Sequence, residues 1–492
     1  MLSVSDLITH YRNRSLSPIE VTKTALERIA TYDKQVNAFV LVDEEKALTD
    51  ARASEYRWQK GEPLGLVDGI PTTIKDLLLT KGWATLRGSK AIAPDQPWEE
   101  DAPAVAHLRS QGAVFLGKTT TSEFGWKGVT ESLLTGVTRN PWNLDRTPGG
   151  SSGGAAVAAA LGLGTLHVST DGGGSTRLPA AFTGVFGFKP TFGRVPGYPS
   201  AHTTTLFHIG AITRRVQDAA VMLNVVAHPD ARDWYALPDD AQDYLQNLEQ
   251  GVSGLRIAYS SRLGYASVEP EVAALVEAAV QVFAELGAVV EQVDPGFENP
   301  FPIFRTFWIT GAAKLLRSFS PEQRTLMEDG LQASAEAGDH VTLAEYQSAL
   351  DAREALGRQL SLFHQTYDLL LTPTLPIAAF PVGQSPQSDL YPPGLKGQRA
   401  SSFKSENPPT RLASEEAPAA ALSKLNWTPF TYPFNLTQQP AASVPCGFTQ
   451  AGLPVGLQII GAKYQDALVL KAARAYETVH PFKTLEQTAM AL

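Results

Sequence analysis

Two glycine-rich clusters that carry serine, GGSSGG (149–154) and DGGGS (171–175), bracket a run of small residues, and Lys75 lies upstream in GIPTTIKD (69–76). Glycine and serine in this density fit several chemistries. A P-loop requires G-x-x-x-x-G-K-[ST], and no lysine follows either cluster at that position. A dinucleotide fingerprint would have to extend from Gly162 and Gly164, and it does not. The residues from Gly150 to Gly154 satisfy G-x-S-x-G, but that turn must leave a buried strand. Asn140 to Pro148, with a proline at either end of NPWNLDRTP, cannot be a central strand. The nine histidines are scattered and offer no triad partner. A flexible linker is a poor fit too, because apolar small residues, Pro and Arg flank the clusters.

The remaining reading uses glycines as backbone donors. Successive glycines let peptide N–H groups converge on an anion. The amides of Gly172, Gly173, Gly174 and Ser175 could hold an oxyanion, with the Ser175 hydroxyl beside its own hole. A serine nucleophile needs a base. Lys75 lies among Ile70, Ile74, Leu77, Leu78 and Leu79, where burial would lower its pKa. A lone lysine is more often a solvated surface charge, and spacing by itself does not decide between the two.

The segment 149–190 resembles the signature of the amidase signature family. The likeness runs through GGSSGG, the Ala/Gly-rich helix, DGGGS, Arg177, Pro179-Ala180 and Gly187-Phe188-Lys189-Pro190. GIPTTIKD resembles that family's catalytic-lysine segment, and Gly117-Lys118-Thr119, Glu123-Phe124-Gly125, the NPW at Asn140, Val444-Pro445-Cys446-Gly447 and GLPVGLQIIG (452–461) add to it, over about residues 60 to 475. The resemblance implies a Ser–cis-Ser–Lys triad with Ser175 as nucleophile, Ser151 as bridging serine and Lys75 as base. Ser151 follows Lys75 by 76 residues and precedes Ser175 by 24. It further implies an oxyanion hole at Gly172, Gly173, Gly174 and Ser175, support from Ser152, Asp171 and Arg177, and a structural Cys446. Phe124, Trp126 and Thr130 are the candidate substrate contacts, with Phe192, Phe207 and Trp308 as further aromatic candidates. Gly172, Thr176, Thr120 and Gln438 depart from the usual pattern without touching the triad.

The implied activity is hydrolysis of the C–N bond of a small organic carboxamide, linear, aryl or cyclic, through a Ser acyl-enzyme, on bonds other than peptide bonds. The rival is the glutaminase-type A subunit of glutamyl-tRNA amidotransferase. Glu131 in VTES resembles a residue of that protein, whereas its carboxylate-holding Arg stretch has no counterpart between Glu322 and Tyr346. No cofactor and no metal are expected, since HExxH and Cys/His pairs are absent. The expected partner is a small amide substrate. The family resembled often forms homodimers, but this sequence shows no interface.

Placing these groups requires a scaffold. Ser17, Pro18 and Glu20 open a capped helix, and the first 60 residues read as helical. Val67 to Ile70, Ala113 to Leu116 and Leu166 to Val168 are strand candidates. Leu255 to Tyr259, a helix through Val272, Val276, Ala279 and Phe283 stopped at Gly287, and Val289 to Val293 form a β-α-β pattern. Thr342 with Glu345 caps another helix before a buried strand at Asp368 to Thr372. This alternation predicts an α/β layered fold around a mostly parallel or mixed sheet. The resemblance sharpens it to the amidase signature fold, a central mixed twisted sheet covered by helices on both faces (α/β/α). We expect an N-terminal helical segment over 1–60, one domain over 61–480 with a long surface loop or lid at about 381–429, and a C-terminal tail over 481–492.

Composition bounds the rest. With 41 Lys+Arg against 50 Asp+Glu the chain carries −9, which argues against a nucleic-acid surface. Only 18% of its 492 residues are charged, as expected of a large interior. The single cysteine, Cys446, excludes an internal disulfide. No leader-like apolar segment or membrane-length apolar run is legible, so a cytoplasmic setting is the default expectation.

Overall fold

The computed structural model describes residues 1–384 and 427–485. Eleven strands form one mixed sheet: β1 (Phe39–Val42), β2 (Pro71–Lys75), β3 (Val114–Thr119), β6 (Leu166–Asp171), β7 (Phe186–Lys189), β8 (His208–Thr213), β9 (Arg256–Tyr259), β10 (Val289–Gln292), β11 (Leu369–Pro373), β12 (Ala441–Phe448) and β13 (Pro454–Gly461). A small hairpin, β4 (Glu131–Ser132) with β5 (Gly136–Val137), stands apart. The order across the sheet is β1-β3-β2-β6-β8-β7-β12-β13-β11-β9-β10. Parallel ladders join β3, β2 and β6 at one end and β11, β9 and β10 at the other, and antiparallel pairs fill the middle.

Strands buried on both faces must be apolar at nearly every position. Phe115 enters one core while Val114 and Leu116 enter another, and Leu369 and Leu371 part from Leu370 in the same way. The first core is closed by α1 (Val4–Asn13), α4 (Pro103–Ser110), α7 (Val216–Val226), α8 (Pro270–Glu285) and the C-terminal helix Asp466–Val479. The opposite face is covered by α2 (Pro18–Val36), α3 (Glu44–Lys60) and α5 (Gly153–Leu161) at one end, and by α9 (Phe301–Leu316) and α12 (Leu343–Phe363) at the other. Helices therefore cover both faces of a mixed sheet, as expected.

Two local readings change. Phe39–Val42 within the N-terminal helical segment is an edge strand antiparallel to β3, entered after Asn37 ends α2 with a left-handed φ of 53°. Val67 to Ile70 is a turn, and the strand begins at Pro71. Gly69 takes φ +83°, its N–H donates to Gly112 O, and Ile70 N donates back to Val67 O at 3.0 Å. An apolar run this short is equally compatible with a buried turn. Of the expected loop at 381–429, all but its two ends lies outside the described residues, as does most of the expected tail.

Candidate active site

Parallel strands of an α/β sheet place ligands beyond their carboxyl ends. β2 ends at Lys75, and its parallel neighbour β6 ends at Thr170 and Asp171. Both strand ends converge on the start of α5. That helix, GGAAVAAAL, is buried at every position, because only small residues let it lie this close to the strands. A Cβ on Gly154 would stand 2.5 Å from Ala38 O and 2.5 Å from Thr120 Oγ1, and one on Gly150 would stand 2.5 Å from the Val129 carbonyl carbon.

Lys75 is completely buried. Its ammonium nitrogen donates to Ser151 Oγ at 2.8 Å, Ser152 Oγ at 2.7 Å and Thr170 Oγ1 at 2.9 Å. Burial drives its pKa well below the ordinary lysine value, and the charge of Asp171 opposes this only in part. The Gly150–Ser151 peptide is cis. The turn is pinned by Thr130, whose hydroxyl donates to Gly149 O at 2.9 Å and accepts from Gly153 N at 2.9 Å.

The glycine loop after β6 is held by Asp171. Its carboxylate accepts from Gly174 N (2.7 Å), Thr176 N (3.2 Å), the Arg177 Nε and Nη2 fork (3.0 and 2.9 Å) and Asn435 Nδ2 (2.9 Å). Burial alone would raise its pKa, but the Arg177 charge and these donors hold it far below the usual carboxylate range. Arg177, also fully buried, gives its remaining donors to Thr431 O, Gln458 Oε1 and Asn435 Oδ1. All five guanidinium N–H groups thus have acceptors. The Ser175 carbonyl accepts from Ser152 N at 3.2 Å, which ties the loop to the start of α5.

The four residues expected to form the oxyanion hole do not all remain available. The Gly174 N–H is committed to Asp171, so this glycine shapes the loop instead, at φ +129° where a Cβ would meet Thr431 Oγ1 at 2.5 Å. The amides of Gly172, Gly173 and Ser175 have no acceptor among the described residues.

Lys75, Ser151 and Ser152 are brought together as expected, and Asp171 and Arg177 brace the loop that carries Ser175. The substrate candidates are redistributed. Phe124 and Trp126 pack in an apolar cluster with α9 and α11 (Asp329–Asp339), Phe124 edge-on to Phe319 at 5.4 Å. Thr130 is occupied by the turn it pins. Phe192 packs against His208 and Tyr235, and Phe207 against the first core. Trp308, by contrast, lies on the glycine loop: a Cβ on Gly172 would meet its ring at 3.2 Å, and one on Gly173 would meet Phe304 Cζ at 2.7 Å. Cys446 is buried in the first core, where burial raises its thiol pKa. Sequence reasoning missed Thr170, Thr431, Asn435 and Gln458. For Thr170 a signal existed, since it precedes Asp171 on a strand whose neighbour carries Lys75.

A family model described as Amidase matches residues 20–398 and 400–470. The chain is 36% identical to an acylamidase of Rhodococcus erythropolis over 98% of its length and 96% of that relative. It is 35% identical to the glutamyl-tRNA(Gln) amidotransferase A subunit of Myxococcus xanthus over 98% of each chain. Among solved structures, a bacterial aryl acylamidase of the amidase signature family superposes with a TM-score of 0.84 at 31% identity, covering 98% of this chain and 96% of the other. The protein belongs to the amidase signature family, which supports a hydrolase acting on C–N bonds. Among the described residues no helix is long and apolar enough to cross a membrane.

Proposed function

We propose that the protein hydrolyses small organic carboxamides through a Ser175 acyl-enzyme, with Ser151 as proton bridge and Lys75 as base. The observation that carries this reading is the buried Lys75 surrounded by three hydroxyls. An unperturbed lysine titrates near 10.4 and is a poor acceptor at neutral pH, whereas a desolvated one holds a free lone pair. Neutral Lys75 accepts the Ser151 proton as Ser151 accepts that of Ser175. The Ser175 Oγ forms a bond to the amide carbonyl carbon, and the oxyanion is met by the amides of Gly172, Gly173 and Ser175. On collapse the C–N bond breaks, and the relay returns the proton to the leaving amine. Water, deprotonated by the same relay, then cleaves the acyl-enzyme and frees Ser175.

The aromatic rings of Phe304 and Trp308 beside the loop support an acyl group with an apolar or aryl portion. The similarity to the aryl acylamidase and the acylamidase agrees with it. The resemblance to the amidotransferase chain favours a second reading, a glutaminase that feeds a partner protein. A panel of amides, anilides, lactams and glutamine, assayed for released amine, tests both. Hydrolysis by the isolated chain, with fluorophosphonate labelling lost in Ser175→Ala, is the expected result. Glutaminase activity that depends on a co-purified partner would replace it with the second reading.

A further inference from the structure

The open part of the glycine loop is narrow. Gly172 and Gly173 are partly exposed, whereas Gly174 and Ser175 are buried. Phe304 covers Gly173, and two neighbours stand where Gly172 lacks a side chain. A Cβ there would lie 3.2 Å from Trp308 Cζ3 and 3.6 Å from Thr203 Oγ1. Covalent geometry puts a Cβ about 2.5 Å from its own amide nitrogen, so the Thr203 hydroxyl lies within about 6 Å of the Gly172 nitrogen.

This hydroxyl is held still. The Thr203 carbonyl accepts Leu206 N at 3.1 Å, and Arg353 of α12 grips Thr205 through Oγ1 at 2.6 Å and the carbonyl at 3.2 Å. The preceding residue, His202, stands edge-on to Trp308 at 6.3 Å between ring centroids, and its carbonyl would be 3.0 Å from a Cβ on Gly311 of α9. Leu206 O accepts Asn435 Nδ2 at 3.2 Å, and the same nitrogen donates to Asp171 at 2.9 Å. The turn is therefore fixed to α9, to α12 and to the brace that holds the glycine loop.

Thr203 is 5% exposed. Among the described residues no hydrogen bond engages its hydroxyl. Other threonines around the loop are spent: Thr431 Oγ1 donates to Gly173 O at 2.7 Å, Thr176 Oγ1 pairs with Ser169 Oγ at 2.8 Å, and Thr170 Oγ1 accepts from Lys75. A hydroxyl withdrawn from water without a partner is unfavourable until a ligand supplies one. The other side-chain atoms nearest to Gly172 and Gly173 are aromatic. Thr203 is thus a single polar group in an apolar wall, the arrangement that orients small ligands.

We propose that Thr203 is a specificity-determining residue whose hydroxyl binds a hydroxyl on the acyl carbon next to the amide carbonyl. A carbonyl oxygen resting on the Gly172 N–H and a hydroxyl on the adjacent carbon together bridge a span of about 6 Å at ordinary hydrogen-bond lengths. The preferred substrate class is then a 2-hydroxy amide with an apolar or aryl tail. This rests on the amidase reading above and deepens it.

The experiment compares 3-phenyllactamide with 3-phenylpropanamide, which differ by that one hydroxyl. kcat/KM should favour the hydroxylated amide about three- to tenfold. The preference should be carried mainly by KM, because the bond is present in ground and transition states alike. The ratio should fall to about one in Thr203→Val and return in Thr203→Ser. Calorimetric binding to Ser175→Ala, with and without Thr203→Val, should show the same preference without turnover. Equal handling of the two amides by the wild type, undetectable binding of both, or a preference that survives Thr203→Val overturns the proposal. So does a loss of kcat in Thr203→Val shared equally by both amides, which marks a donor to the oxyanion instead. A wild-type enzyme that cleaves neither amide, while Ser175→Ala still prefers the hydroxylated one, strikes the amidase reading alone.

Discussion

Two lysines on neighbouring strands are equally buried yet placed in opposite surroundings. In the β2–β3 ladder, Lys75 pairs with Thr119 and Ile74 with Lys118. Lys118 faces Asp76 at 3.1 Å, the carbonyls of Leu78 and Ala84, and Thr85 Oγ1. Lys75 faces only hydroxyls. Burial lowers both pKa values, but for Lys118 the adjacent Asp76 charge resists, whereas for Lys75 the opposing charge is Asp171, already paired with Arg177. Carbonyls and carboxylates only accept, so a deprotonated Lys118, with two N–H groups left, could not serve them all. Hydroxyls both donate and accept, so Lys75 can lose its proton and leave no group unsatisfied. The comparison teaches that the chemistry of the partners, more than depth in the core, separates a base from a structural cation.

The sharpest way to break this contrast is at the proposed nucleophile and base. Ser175→Ala should abolish turnover, and Lys75→Ala should cost roughly 10²–10⁴ in rate. Lys75→Arg, permanently charged, should be as inactive as Lys75→Ala in the same amine-release assay. In the wild type, kcat/KM should rise with pH as Lys75 loses its proton, along a limb lying below the ordinary lysine value, and then level off. The absence of any rising limb down to the lowest pH at which the fold survives, with chemistry rate-limiting, would refute Lys75 as base. Lys118→Met tests the other side. It leaves Asp76 buried and unpaired and should destabilise the fold by about 3–5 kcal/mol in denaturant titration, with much of the loss recovered when Asp76→Asn is added.

Smaller effects sharpen the picture. Thr170→Val removes one acceptor of the charged ammonium, so kcat should fall no more than about tenfold, and the alkaline limb should move to lower pH. The smallest effect is expected at Glu123, which bridges Ser89 Oγ and Glu328 N. Burial pushes its pKa up to about 7. The native chain therefore keeps a proton that the unfolded chain releases near the ordinary carboxylate value. Wild-type stability should fall as pH rises from that value through about 7. Glu123→Gln should flatten this slope and gain on the order of 1 kcal/mol at pH 8, read from thermal unfolding at several pH values.

The glycine clusters suggested a backbone anion nest by themselves, whereas the roles of Lys75, Asp171 and Arg177 became legible only through the resemblance to the amidase signature family. The alternating helices and strands were legible for the same reason that two-faced burial demands apolar runs. Other features depend on contacts distant in sequence. Thr431, Asn435 and Gln458 reach Arg177 from more than two hundred residues away, and no local pattern marks them. The loss of Gly174 as a donor follows from which way Asp171 turns, and a string of glycines does not reveal it. Phe124 and Trp126 pack in an apolar cluster with α9 and α11, and the sequence alone does not distinguish aromatic residues that line a cleft from those that fill a core.

The tight seating of α5 has an evolutionary consequence. Where a single added methyl at Gly150 or Gly154 would collide with main chain, the proton-relay side of the protein has almost no freedom to drift. Novelty has more room on the facing helix, where Phe304 and Trp308 meet the loop through side-chain atoms only. Directed evolution toward new amides should therefore concentrate its libraries on positions 304 and 308 and leave the small-residue helix untouched.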